Sequence, residues 1–377
     1  MFQTTVSILI TTYNRPKLLK RAVESVLAQT FKDFEIVIID DASEEPASKT
    51  LKDISDKRIS IYRNNENLGS KSGDRVHLKR FVHVLSKGKY IVYLCDDDYW
   101  IYNDLLERQV RAFTLYPGLA FVAGGQLSNM NPQTTDLSRD ELITQDNVSS
   151  IFDFTKMEPK TKKYYFHRSP KNHEFSLYTT WYLPSRKFLK EFCEEPTTHA
   201  IIAGATLYSK EIFIRSNTFA LDIGSKWQAG YEIIVGPAIY GDVIYINQPC
   251  IMVDVRPENA SFRRTQEDHY LDSVYSTEIA FKFSLGDPVC PISKYELLNY
   301  RAKCIIELTF TYLRNSIHIL KFNELGMCSK ENISRVVTPQ ILFLHICKFG
   351  GLSLLKLKEV RIIGQYYYNW WKRKFNG

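Results

Sequence analysis

The stretch YLCDDDYW, residues 93–100, places three carboxylates, Asp96, Asp97 and Asp98, directly after an apolar run. Adjacent carboxylates repel one another and are costly to desolvate, so their position at the end of a buried strand needs a chemical reason. Divalent cations such as Mg²⁺ and Mn²⁺ prefer carboxylate oxygens, and a bound diphosphate would bring further oxygens. The triplet therefore indicates a Mg²⁺ or Mn²⁺ site. The alternative is an acidic turn that caps a helix starting near Asn103.

The elements that must position these carboxylates are strands separated by helices. A stretch at 16–30, opened by Pro16, predicts an amphipathic helix. The predicted strands of the first half span residues 6–13, 34–40, 58–64 and 90–95. Because their apolar character is continuous rather than alternating, they favour an α/β fold with a parallel sheet covered on both faces.

Polar clusters lie at the ends of these four predicted strands. They read TTYNR, DDAS, RNNENLG and the aspartate triplet. Ligands of parallel α/β sheets bind beyond the carboxyl ends of the strands. We therefore expect the four clusters to line one binding site.

The second half of the chain gives weaker patterns. Residues 126–180 are polar and irregular, which predicts a long loop or a flap. A strand and turn are predicted at 200–213, a helix at 231–241 despite Pro237, and closing strands in VIYINQP and IMVDVRPENAS. After residue 266 the pattern changes to long helical stretches.

Positive charge is concentrated near the end of this 377-residue chain. The net charge is +7, and residues 331–377 hold eight lysines and arginines against two glutamates. These cations alternate with segments such as YYYNWW, and no apolar run reaches the roughly 20 residues that cross a bilayer. We expect this segment to lie on an anionic membrane surface rather than to bind nucleic acid.

Two further features bear on the compartment. The start of the chain lacks the basic segment of a signal peptide, so a cytosolic location is expected. The seven cysteines show no regular spacing, which fits reduced thiols better than a disulfide framework or a zinc site.

Several spaced motifs together resemble family 2 glycosyltransferases of the GT-A fold. The motifs are ITTYNRPKLLKRAVESVLAQTFKDFEIVIIDDAS, NENLG, SKGKYIVYLCDDDYW and ENASF. The resemblance is strong over residues 4–125 and looser over 200–262. It implies metal-dependent transfer of a sugar, with inversion, from a nucleotide diphosphate to an acceptor hydroxyl.

The resemblance also implies a domain organisation. Residues 1–265 would form the GT-A domain, with its nucleotide-sugar half at 1–125 and its acceptor half at 126–265. Residues 266–377 would form a helical, basic and aromatic extension that associates with the membrane.

By the same resemblance, residues at the strand ends contact the donor nucleotide. Thr11, Tyr13 and Arg15 would line the base and ribose pocket. Asp41 would accept hydrogen bonds from the base, and Gly69 would let the backbone approach the ligand closely.

The resemblance assigns the metal ligands as well. In the acidic signature of such enzymes the final aspartate binds the metal, and the spacing to Trp100 places Asp97 there. Cys95 then occupies the first position, so Asp96 and Asp98 must supply the remaining acidic function. We assign Asp98 to the metal and Asp96 to the nucleotide sugar, while the spacing leaves open which of the two contacts the ribose.

The base and the leaving-group residue are expected in the second half. The family takes its general base from an acidic motif at the start of a helix, and Glu232 is the nearest carboxylate. The usual aspartate aligns with Gly230, so Asp222 is the second choice. Arg256 stands near the place of a family histidine, where an arginine would bind diphosphate oxygens.

The implied partners are a nucleotide diphosphate sugar and a glycan or lipid-linked glycan acceptor. The expected setting is synthesis of a bacterial surface polysaccharide or glycolipid at the cytosolic face of a membrane, and a homo-oligomer is a further option. A nucleotidyltransferase is disfavoured because TTYNRP is not a glycine-rich, lysine-bearing loop. The lack of GxGxxG and P-loop motifs disfavours dinucleotide-binding oxidoreductases and NTPases. A catalytically silent glycan-binding or scaffold subunit of the same fold stays open.

Overall fold

The computed structural model describes residues 4–69, 73–129, 151–153, 180–194, 201, 203–216, 232–254, 289–293 and 296.

Strands and helices alternate through the first half of the chain. In order, its elements are β1 (Thr4–Thr12), α1 (Pro16–Leu27), β2 (Phe34–Asp40), the single turn α2 (Ala47–Thr50), β3 (Ile59–Arg63), α3 (Gly73–Arg80), β4 (Gly88–Cys95), β5 (Asp98–Trp100) and α4 (Leu105–Leu115). A π-helical turn, Phe81–Leu85, continues α3.

The described elements of the second half complete the sheet and add helices. In order, they are β6 (Leu119–Asn129), β7 (Ile151–Asp153), β8 (Thr180–Leu183), α5 (Ser185–Glu194), a 3-10 turn (Ala203–Ala205), β9 (Thr206–Ser209), α6 (Lys210–Arg215), α7 (Glu232–Tyr240) and β10 (Asp242–Asp254).

The sheet is mixed, with a parallel half that holds the strand ends of interest. Its order is β3-β2-β1-β4-β9-β6-β10-β5, with β7 beside β6 and β8 beside β10. The pairs within β3-β2-β1-β4 are parallel, and so is the pair of β6 and β10. Antiparallel β9 joins these two parallel parts. The α/β class expected from the sequence is thus confirmed.

Both faces of the sheet are buried, as β1 illustrates. Ile8 and Ile10 belong to a buried cluster that includes Leu19 of α1. Leu9, which points to the other face, belongs to a second cluster with Phe81. Full burial of each such side chain contributes about 1.5–3 kcal/mol relative to exposure. This two-sided core fixes the strand ends on which the site depends.

Helix α1 forms because its apolar residues recur at helical spacing. Its buried residues are Leu19, Ala22, Val23 and Val26. Pro16 lies in the first turn, where its missing N–H is no loss. Arg15 is the N-cap residue, but its guanidinium carries only N–H donors and cannot cap the helix N–H groups, so it is available to acceptors elsewhere.

Some boundaries differ from those expected. Helix α1 ends at Leu27 rather than at residue 30. The stretch at 200–213 ends in a helix, because Ser209 accepts a hydrogen bond from the Ile212 N–H and so caps α6. The two predicted closing strands form one strand, β10, whose register with β6 shifts around Pro249.

The structure confirms one predicted helix and contradicts the acidic-turn alternative. The helix predicted at 231–241 is confirmed as α7, with Pro237 inside it. The acidic-turn alternative is wrong, because β5 separates Asp97 from α4, whose N-cap residue is Asp104. Most of the expected loop at 126–180 and nearly all of the expected extension at 266–377 lie outside the described residues.

Among the residues described, no helix has the length and apolar character needed to cross a bilayer.

Candidate functional site

The structure brings the strand-end clusters together at one edge of the sheet. Thr12, the last residue of β1, pairs in register with Asp40 at the end of β2, and Thr11 pairs with Cys95 at the end of β4. The Asp41 N–H donates to the Thr12 carbonyl over 2.9 Å. Because these strands are parallel, the polar residues that follow them lie at one edge of the sheet. We call the region of Tyr13, Arg15, Asp41 and the three adjacent aspartates the crevice.

Arg15 bridges two of the three adjacent aspartates. Its Nη1 donates to Asp96 Oδ1 over 3.1 Å and to Asp97 Oδ2 over 2.8 Å. The side chains of Arg15 and Asp96 are 29% and 7% exposed, so the ion pair is partly shielded from water and its attraction is less screened. The sequence predicts Arg15 in the base and ribose pocket, and its guanidinium lies on these carboxylates.

Asp96 has both carboxylate oxygens engaged. The Thr12 hydroxyl donates to Oδ2 over 2.8 Å, and Arg15 donates to Oδ1. Burial and the neighbouring Asp97 charge raise the pKa of Asp96 to about 7, against the opposing effects of Arg15 and Thr12. Asp96 is therefore held in one orientation by partners within the protein.

Cys95, Asp97 and Asp98 form a set of donors suited to a metal ion. The Cys95 sulfur and one carboxylate oxygen of each aspartate all lie within 4.8 Å of one another. Oxygen ligands sit about 2.1 Å from Mg²⁺, so donors this close can converge on one cation. The residues present therefore fit a divalent metal, and Cys95 adds a sulfur donor that the acidic signature of the family does not include.

The backbone of the aspartate triplet is fixed from two sides. Arg21 of α1 donates to the Asp97 carbonyl over 2.8 Å, and its guanidinium lies 4.3 Å from the centre of the Tyr99 ring. Trp100 is almost fully buried, and its indole N–H donates to the Gly204 carbonyl over 2.7 Å. These contacts hold the triplet rigidly at the sheet edge.

Asp40 has a structural role at this edge. It accepts hydrogen bonds from the Ser43 N–H, the Ala47 N–H and the Arg63 guanidinium at 2.8, 2.9 and 2.8 Å. Burial alone would raise the pKa of Asp40, but these hydrogen bonds outweigh it and hold the pKa below the ordinary value. Asp40 thus anchors the turn after β2.

Asp41 organises the loop that follows β3. Its carboxylate accepts hydrogen bonds from the Leu68 and Gly69 N–H groups at 3.1 Å and from the Asn64 side chain at 2.7 Å. Gly69 adopts a φ of 67°, a conformation that favours glycine. The predicted contact between Asp41 and a base stays a prediction, and the structure adds that Asp41 shapes the loop beside it.

The imidazole of His77, in α3, lies near the Asp41 carboxylate. Its Nε2 lies 3.4 Å from Asp41 Oδ1, longer than a typical hydrogen bond. Burial lowers the pKa of His77, although the Asp41 charge opposes the shift. This contact could not be predicted from the sequence, because α3 and the residues after β2 meet only in the folded chain.

Hydrogen bonds join the turn that follows β1, which begins with Tyr13, to the turn that follows β2. The Asn14 N–H donates to the Ser43 hydroxyl over 3.0 Å, and the Asn14 side chain accepts from the Glu44 N–H over 2.7 Å. Asn14 and Ala42 have φ values of 53° and 65°, a strained conformation for residues other than glycine. Tyr13 is 45% exposed, which leaves its ring accessible at the crevice.

The residues predicted for the acceptor side cannot be placed beside these groups. Glu232 is the first residue of α7, but its side chain lies outside the described part of the structure. Asp222 and Arg256 also lie outside the described residues. Their roles as base and diphosphate ligand stay predictions.

Solved structures share the fold of this chain. A crystal structure of S. aureus TarS 1-349 is similar with a TM-score of 0.53 at 12% identity, covering 99% of this chain and 93% of that one. The same protein in complex with UDP-GlcNAc gives a TM-score of 0.53 at 11% identity, with the same coverage. At such identities the similarity is one of fold, and it confirms the GT-A class.

Curated relatives match a shorter part of the chain. The Escherichia coli protein WfaP, a UDP-Glc:alpha-D-GlcNAc-diphosphoundecaprenol beta-1,3-glucosyltransferase, is 38% identical over 96 residues, which are 26% of this chain and 36% of WfaP. WfgD of Escherichia coli, described by the same activity, is 30% identical over 119 residues, 32% of this chain and 44% of WfgD. The chain thus spans less than half the length of each of these relatives.

The family model of glycosyl transferase family 2 matches residues 7–216, more than half of the chain. The matched range includes Arg15, Asp41 and all three adjacent aspartates of the crevice. This chain belongs to glycosyl transferase family 2.

Proposed function

We propose that this protein transfers a sugar from a nucleotide diphosphate to the hydroxyl of a lipid-linked glycan, with inversion, in the synthesis of a bacterial surface polysaccharide. The observation that carries the proposal is the convergence of Cys95, Asp97 and Asp98 at the carboxyl end of β4, inside the part of the chain that the family model matches. Carboxylates gathered at a strand end of an α/β sheet suit a diphosphate bound through a metal ion.

On the donor side, Asp97 and Asp98 would hold Mn²⁺ or Mg²⁺, and Asp96 would contact the nucleotide sugar. A metal bound there would neutralise charge on the diphosphate as it leaves. The loop that Asp41 organises and the exposed Tyr13 ring would enclose the base, and Thr11 would face the ribose. Arg256 would add positive charge to the leaving diphosphate.

On the acceptor side, one carboxylate must take the proton of the attacking hydroxyl. The bond from the anomeric carbon to the diphosphate breaks while the bond to the acceptor oxygen forms on the opposite face, so the configuration inverts. We assign the base role to Glu232, with Asp222 as the alternative.

The donor and acceptor classes are supported by the relatives. WfaP and WfgD are named for UDP-glucose and for an acceptor that carries GlcNAc on diphosphoundecaprenol. A lipid-linked acceptor lies at a membrane, and the basic, aromatic segment 331–377 suits an anionic membrane surface. We therefore propose a UDP-sugar donor and a peripheral location at the cytosolic face, with 1–265 as the catalytic domain.

The proposal is tested by incubating the purified full chain with a panel of nucleotide sugars, in Mn²⁺ and in excess chelator. We expect slow release of nucleoside diphosphate from one of them, with UDP-sugars preferred, and its loss in chelator. Release that persists in chelator would remove the metal from the proposal. No release from any donor, with or without a lipid-linked acceptor, would favour the silent glycan-binding subunit instead.

A further inference from the structure

Arg15 occupies carboxylates that the proposed function assigns to the donor and its metal. One nitrogen, Nη1, lies 2.8 Å from Asp97 Oδ2 and 3.1 Å from Asp96 Oδ1. The positive charge of Arg15 therefore already offsets part of the repulsion between these neighbouring carboxylates. The protein carries a counter-ion of its own for the aspartate pair.

This arginine can leave the aspartates without disturbing the core. Its side chain is partly exposed, and the contacts described for its guanidinium are those to the two aspartates. Asp96 would keep the Thr12 hydroxyl as a partner at Oδ2. The ion pair is thus a contact that a competing cation can break.

A divalent ion on Asp97 would share that carboxylate with Arg15. Two cations on one carboxylate repel each other, and the repulsion is stronger where water is partly excluded. The donor diphosphate would relieve this repulsion by adding negative charge. It would also offer a new partner to Arg15, because the planar guanidinium matches phosphate oxygens in a bidentate manner.

We propose that Arg15 competes with the divalent metal for Asp97 and transfers to the diphosphate when the donor binds, so that metal and diphosphate bind cooperatively. The inference rests on the proposed function, since it requires the metal at Asp97. Its consequence is that the metal binds weakly alone and tightly with diphosphate. By thermodynamic linkage the metal tightens diphosphate binding by the same factor.

Arg21 provides a matched control for this role. It places a second guanidinium next to the same aspartate, but it donates to the Asp97 carbonyl over 2.8 Å and packs on the Tyr99 ring. Replacing Arg21 removes a nearby positive charge and a hydrogen bond to the Asp97 backbone, but it does not free the Asp97 oxygen that Arg15 occupies. The loosened backbone would weaken Mn²⁺ binding rather than tighten it, so it cannot imitate the effect expected of Arg15→Met. General electrostatics and direct competition can therefore be separated.

The test measures Mn²⁺ binding to the full chain by the electron paramagnetic resonance signal of free Mn²⁺. Wild type, Arg15→Met and Arg21→Met are titrated with Mn²⁺ alone and then with inorganic pyrophosphate present. We expect Arg15→Met to bind Mn²⁺ alone roughly tenfold more tightly than wild type, and Arg21→Met no more than about threefold. We also expect pyrophosphate to tighten Mn²⁺ binding less in Arg15→Met than in wild type.

The outcomes separate this inference from the proposed function. If Arg15→Met binds Mn²⁺ with the affinity of wild type or more weakly, Arg15 does not compete, while the metal site itself stands. If none of the three proteins binds Mn²⁺ with or without pyrophosphate, the metal role and the inference both fall. Circular dichroism checks folding, and Arg15→Gln serves for the same comparison should Arg15→Met not fold.

Discussion

The hydroxyl of Thr12 donates a hydrogen bond of 2.8 Å to Oδ2 of Asp96. This contact joins the end of β1 to the first aspartate after β4, and both residues are buried. A buried carboxylate oxygen that loses its donor bears the full cost of desolvation. The pair therefore contributes to stability as well as to the shape of the site.

Thr12→Val should destabilise the protein while leaving its shape nearly unchanged. The substitution leaves Asp96 Oδ2 without the hydroxyl donor, and we expect the free energy of unfolding to fall by about 1–3 kcal/mol. Denaturant unfolding at about pH 9, above the Asp96 pKa of about 7, measures this change with the carboxylate ionised. The control is Thr11→Val, because the Thr11 hydroxyl lies 3.1 Å from the neutral Tyr93 hydroxyl and should cost less. Equal losses in the two variants would contradict the importance assigned to the charged acceptor.

Glu232→Gln should slow sugar transfer by about 100-fold or more while leaving donor affinity close to that of wild type. The substitution removes the proposed proton acceptor without emptying the nucleotide crevice. Turnover and donor binding are measured separately on the same preparation. Asp222→Asn is the companion variant. A large loss of turnover in Asp222→Asn with a benign Glu232→Gln would make Asp222 the base.

The full chain should sediment with liposomes that contain anionic lipid and should be released at high salt. Each cation of segment 331–377 that comes close to an anionic surface contributes about 1 kcal/mol, and salt screens this attraction. Neutral liposomes of the same size are the control. Equal recovery in the supernatant with anionic and neutral liposomes at low salt would rule out an electrostatic membrane role for the segment.

The sheet and the location of the crevice could be predicted because their signals are local. The continuous apolar runs that end at Thr12, Asp40 and Cys95 indicate buried parallel strands, and parallel strands place their ends at one edge. Gly69 has a positive φ, a conformation that favours glycine, while its predicted close approach to the ligand stays a prediction. Each of these predictions depends on a short segment of sequence.

The partners within the crevice could not be predicted because they depend on how turns direct side chains. Alternation along β1 sends Thr11 and Thr12 to opposite faces, and nothing in the sequence says that Thr12 is the one that meets Asp96. Arg15 contacts the aspartates directly after Asn14, whose backbone has a positive φ. His77 comes from a different helix altogether. Contacts of this kind require the folded chain.

The central claim is that Asp97 holds a divalent metal that binds the donor diphosphate, and calorimetric titration with UDP tests it most directly. Wild type and Asp97→Asn are titrated in Mn²⁺ and in excess chelator, with Asp104→Asn, a carboxylate change at the N-cap of α4, as the control. We predict that Mn²⁺ tightens UDP binding at least tenfold, about 1.4 kcal/mol, in wild type and Asp104→Asn but not in Asp97→Asn. Equal UDP affinity of wild type in Mn²⁺ and in chelator, or an undiminished Mn²⁺ effect in Asp97→Asn, would contradict the claim.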